Sequence, residues 1–212
     1  MALTLTTPNT VLGALSPKSG TARIVANVVT VVLGSLLLAI CAQIKVPVMP
    51  VPVNLTSLGV AVLAAGFGWR IGVATVLLYI VEGLSGLPVF ANGGGIAYLF
   101  APSFGFIVGY LAMAFIIGFA ADRGASSKPF VLFGAMLVGD AVLFAFGFAW
   151  LYVVANGIVQ SGAALPGWLH ADNLLGSAFD GAVKPFLLWD GLKMAFAAVS
   201  VAGTYMLVSK KA

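Results

Sequence analysis

Apolar residues gather into six stretches along this chain, separated by short polar connections. They run from about Arg23 to Gln43, Leu55 to Phe67, Ile71 to Val81, Ile96 to Ala121, Phe130 to Ala155 and Phe186 to Val208. A straight membrane span needs about 20 apolar residues, so the first, fourth, fifth and sixth qualify on length. The second and third are short and meet at Gly66-Phe67-Gly68-Trp69-Arg70. They predict a helical hairpin that crosses incompletely or is kinked, a form tolerated where it lines a cavity rather than faces lipid. The pattern therefore predicts an all-α integral membrane protein. Residues 1–212 form a single transmembrane domain of six helices, with a polar cytosolic tail over residues 1–20.

Basic residues orient this layout. With the N-terminus inside, Lys18, Arg23, Arg70, Arg123, Lys128, Lys210 and Lys211 fall on the inner side, and only Lys45 and Lys184 on the outer. Seven against two is a strong positive-inside bias and places both termini in the cytoplasm. Three longer connections then face outward. The first is Ile44–Asn54, stiffened by Pro47, Pro50 and Pro52. The others are Glu82–Gly95 and Asn156–Lys184. Binding residues usually sit on loops held by a rigid scaffold, so a site is expected toward the outer face.

Composition narrows the classes. Of 212 residues, 61% are hydrophobic and 8% charged, against about 25% charged in soluble domains. The excess of Lys and Arg forms no basic stripe, which argues against nucleic acid as a partner. A single cysteine, Cys41, leaves no intrachain disulfide or multi-cysteine metal cluster. His170 stands alone, so neither a zinc hydrolase site nor a serine nucleophile with its base is in view. No Walker motif occurs. The expectation is a protein that is not an enzyme and holds no cofactor.

Against this background the last stretch is unusual. It is apolar except for Asp190 and Lys193, which share one helix face. Each charge at membrane depth costs about 2.5–3.5 kcal/mol on insertion scales, so such a pair is a candidate site by default. Mutual neutralisation alone is the plainer reading. A second candidate is Asn92-Gly93-Gly94-Gly95-Ile96-Ala97-Tyr98. Its glycines, Gly94 among them, let the backbone approach a ligand closely, and the Asn92 amide offers both a donor and an acceptor. A simple helix-start turn with Asn92 as cap is the alternative. Glu82 is either a cap on the site or a solvated helix end, and Asp140 has a packing or a coupling role. Ala22, Ala26, Thr30 and Gly34 recur every fourth residue, a small-residue seam that suits bundle packing and a partner subunit equally. From the residues alone, the chain is a six-helix membrane protein with an outward polar pocket lined by Asn92, Tyr98, Asp190 and Lys193.

Three motifs in order give a family resemblance: Val46-Pro47-Val48-Met49-Pro50-Val51-Pro52; Gly86-Leu87-Pro88-Val89-Phe90 with Asn92-Gly93-Gly94-Gly95; and Pro185-Phe186 followed by Asp190-Gly191-Leu192-Lys193. Over most of residues 22–208 the chain resembles the BioY family, the biotin-binding S components of energy-coupling-factor (ECF) vitamin transporters. The resemblance implies an S-component-like bundle in a bacterial cytoplasmic membrane. It implies biotin as ligand, with a transmembrane T component and ABC-type ATPase subunits as partners. Asn92 and Asp190 would hold the ureido ring, Tyr98 would line it, and Lys193 would bind the ligand carboxylate or keep Asp190 ionised. Ala22 and Ala26 would contact the T component. Where relatives often read Thr-Leu-Gln, this chain reads Asn54-Leu55-Thr56, which leaves the contacts of the second helix open. An S component for thiamine or riboflavin is the runner-up; an intramembrane enzyme or a small channel lies further off.

Overall fold

A computed structural model of the protein describes residue 10 and residues 20–209. Apart from Thr10 and Gly20, the expected tail lies outside the described residues, as do Lys18, Lys210 and Lys211. The chain folds into α1 (Gly20–Gln43), a hairpin of β1 (Lys45–Val46) and β2 (Val53–Asn54), then α2 (Thr56–Phe67), α3 (Trp69–Leu84), α4 (Phe104–Asp122), α5 (Pro129–Gln160), α6 (Leu174–Ala182) and α7 (Leu187–Ser209). The strands pair antiparallel, Lys45 opposite Asn54 and Val46 opposite Val53.

Four helical stretches are long and apolar enough to cross a membrane: Gly20–Gln43, Phe104–Asp122, Pro129–Gln160 and Leu174–Val208. The last runs through both α6 and α7. α2 has 12 residues, about 18 Å of helix at 1.5 Å per residue. Its brevity fits its place, because Thr56, Ser57, Gly59, Val60, Ala61, Leu63, Ala64, Ala65 and Gly66 are all buried. A helix apolar on every side belongs inside a bundle, and α2 packs against α1, α3, α4 and α7. Gly68 joins α2 to α3 at φ 86°, a conformation glycine takes without steric cost. α1, by contrast, turns Ile24, Val25, Val28, Val29, Val32, Leu33, Leu36, Leu37 and Ile40 outward. For a chain in a bilayer these side chains meet lipid, which is as apolar as they are.

Two expected segments resolve differently. The stretch from about Ile96 to Ala121 divides into a 3-10 turn, Ile96–Phe100, and α4 from Phe104. Pro102 separates them, and the residue before a proline is turned away from helix. The connection after α5 contains α6, whose start is capped by Asn173: its Oδ1 accepts the Gly176 N–H at 2.9 Å. The small-residue seam on α1 also divides. Gly34 is buried against Thr75 of α3, where an added Cβ would meet Thr75 Cγ2 at 2.8 Å. Ala22 is exposed and Ala26 half-buried.

Candidate ligand-binding site

The site forms where the hairpin closes over one end of the bundle. β2 delivers the chain to α2, and Asn54 Oδ1 accepts the Thr56 N–H at 3.0 Å, fixing the turn into the helix. This places Ser57 on the first turn of α2, facing α7. Pro185 precedes α7, whose first turn carries Asp190. A carboxylate suits the positive end of a helix dipole.

These elements bring together groups far apart in sequence. Lys193 Nζ lies 2.5 Å from Asp190 Oδ1. It also donates to the Ser57 hydroxyl and to the Asn54 carbonyl, each at 2.9 Å. Ser57 in turn donates its single proton to Asp190 Oδ1 at 2.5 Å. The ammonium thus has three acceptors for three hydrogens, and the hydroxyl both gives and receives. Asp190 is 2% exposed. Both bonds fall on Oδ1, and Asp190 is among the residues that line the neighbouring cavity.

A cavity lies beside this cluster. Small-molecule sites typically combine mainly apolar walls with a few placed polar groups. Here Tyr79, Tyr98, Phe106, Tyr110, Phe144 and Phe186 supply aromatic wall, and Asn54, Thr56, Ser57, Ser103, Asp190 and Lys193 supply polar groups. The walls are rigid because the rings pack on one another. Phe186 contacts Phe106 and Phe144 at centroid separations of 5.6 and 6.0 Å. Phe90 lies between Tyr79 and Tyr98 at 5.2 and 4.6 Å. The Tyr98 hydroxyl bonds to Ser103 Oγ at 3.0 Å.

Of the expected site residues, Tyr98, Asp190 and Lys193 line this cavity. Asn92 and Gly94 do not. Asn92 is exposed at the rim, next to the lining residue Ala91, and its Oδ1 accepts from Lys45 Nζ at 3.1 Å. Gly94 lies in the same loop, so close to the carbonyls of Leu87 and Gly83 that a side chain there would collide with backbone. The loop is strapped to the hairpin side. Gln43 Nε2 donates to the carbonyls of Pro88 and Phe90 at 3.3 and 3.1 Å, and Lys45 Nζ donates to that of Ala91. Thr56 lines the cavity, and its N–H is held by Asn54 Oδ1. Ser57 escaped the reading of the sequence: a lone serine at the start of an apolar helix carries no mark of its partners.

A model of the BioY family matches residues 12–210. The chain belongs to the BioY family. Among curated BioY proteins, it is 36% identical over 132 residues to the probable biotin transporter BioY of Lysinibacillus sphaericus, covering 61% of this chain and 66% of that protein. It is 34% identical over 143 residues to the biotin transporter BioY of Rhizobium etli, covering 61% and 76%. The crystal structure of the S-component for biotin from an ECF-type ABC transporter superposes with a TM-score of 0.65 over 85% of this chain and 91% of that one, at 22% identity. The fold is thus shared despite the low identity.

Proposed function

We propose that this chain captures biotin and carries it across the bacterial cytoplasmic membrane as the substrate-binding subunit of an ECF-type transporter. The observation that carries the reading is the buried Asp190–Lys193–Ser57 cluster, which lines an aromatic-walled cavity and whose bonds to Asp190 both fall on Oδ1. A ureido ring presents two N–H donors and one carbonyl. Asp190 Oδ2 accepts one N–H as a charge-assisted bond. Asn92 reaches the ring from the rim once it releases Lys45, with Gly94 allowing the loop to lie close. Tyr98 covers the ring, and the sulfur-containing ring and aliphatic tail suit the phenyl walls. Lys193 keeps Asp190 ionised and adds a positive charge for a carboxylate.

In this reading α1, α2, α3, α4, α5 and α7 are the six spans, both termini are cytoplasmic, and α6 lies along the outer surface. The positive-inside distribution supports that orientation. The chain is a transport subunit and not an enzyme. A T component and two ABC-type ATPases supply the energy. The T component docks where Ala22 and Ala26 leave α1 without bulky side chains.

Binding of labelled biotin to the purified protein tests the site. Asp190→Asn and Asn92→Ala are each expected to weaken binding at least tenfold, and excess thiamine or riboflavin should leave binding unchanged. Parent-like affinity in both variants would remove these residues from the site. Displacement by another vitamin would reassign the ligand.

A further inference from the structure

Asp140 has no part in the site described so far, yet its surroundings tie it to that site. It is 5% exposed in the middle of α5, and its Oδ1 is buried without a hydrogen-bond partner. Leu143 and Phe144, three and four residues further along the same helix, line the ligand cavity. Asp140 therefore occupies the same face one turn beneath the cavity floor. α7 packs against α5, and the charged groups it carries are Asp190 and Lys193. α4 contributes the titratable Tyr110, which also lines the cavity. The hydroxyls of Ser57 and Ser126 are already given to Asp190 and to the Ala65 carbonyl. The ion pair of Asp180 and Lys184 is exposed.

Counting charge makes the difficulty plain. Lys193 already spends its three hydrogens on Asp190, Ser57 and Asn54. With both carboxylates ionised, the cluster has two negative charges and one positive, buried in an apolar bundle, and one carboxylate has a bare oxygen. A buried charge without a partner neutralises instead of persisting. Asp190 is the carboxylate that holds the cation, which leaves Asp140 to take the proton.

We propose that Asp140 is a proton site beneath the ligand cavity, and that its proton keeps Lys193 committed to Asp190 and so preserves affinity for an anionic ligand. This rests on reading the cavity as the biotin site. When the proton leaves, Asp140 competes for the Lys193 ammonium and adds a negative charge under a ligand that carries one itself. Affinity is therefore full while Asp140 is protonated and falls as rising pH removes the proton. Asparagine imitates the protonated side chain in shape and charge, so an Asp140→Asn protein should keep its affinity at alkaline pH.

Two measurements test this. In the ligand-free protein, infrared spectroscopy should find a protonated carboxyl stretch that shifts in heavy water and is absent from Asp140→Asn and Asp140→Ser. Biotin titrations from mildly acidic to alkaline pH should show a several-fold loss of affinity in the parent and a flat profile in Asp140→Asn. A carboxyl band that is missing from the parent, or that survives in both variants, overturns the proton site. An alkaline loss that persists in Asp140→Asn overturns its link to the ligand. The infrared result needs no ligand, so it stands even if biotin does not bind and the functional reading fails.

Discussion

Two acid–base pairs lie within fifteen residues of each other, and they behave as opposites. Asp180 and Lys184 are 3.3 Å apart with side chains 63% and 69% exposed. Asp190 and Lys193 are 2.5 Å apart with side chains 3% and 11% exposed. Each pair has the acid first and helical spacing. The exposed pair gains little, because water screens it and both side chains lose freedom. In the buried pair each charge depends on its partner, and removing one leaves the other stranded. Spacing makes an ion pair possible; surroundings decide whether it matters.

The sharpest way to break this contrast is Lys193→Met. Stranding Asp190 should cost about 3–5 kcal/mol, read as a lowered thermal unfolding midpoint in detergent. The double change Asp190→Leu with Lys193→Met should recover most of that stability while biotin binding stays lost, which separates packing from recognition. A Lys193→Met protein as stable as its parent would put the two pairs in one class. Ser57→Ala comes next. It removes a bond from each of two charged groups and should cost about 1–3 kcal/mol, with weakened ligand binding as a second readout. The smallest effect belongs to the exposed pair: a double-mutant cycle on Asp180→Ala and Lys184→Ala should give a coupling of about 0–1 kcal/mol that salt reduces further.

The same contrast explains what was legible in the sequence. Asp190 and Lys193 stood out because everything around them is apolar and a charge there needs a reason. Tyr98 followed from its loop, and it does line the cavity. Ser57 was invisible, since its role comes from a contact with a residue 133 positions away. The short α2 and α3 were visible as a hairpin broken near Gly68, because glycine and length are local signals. α6 was missed within a long connection, although Asn173 could have marked its start. Helix boundaries near Pro102 depend on where one proline stops a turn, which apolar periodicity does not report.

The strap across the mouth of the cavity has a consequence for how the loop can vary. Gln43 and Lys45 make four bonds to it, and three of the acceptors are main-chain carbonyls, those of Pro88, Phe90 and Ala91. A carbonyl is present whatever side chain its residue bears. The fastening is therefore written in two donor residues on the hairpin side, and three of its four bonds are indifferent to the side chains of the residues they grip.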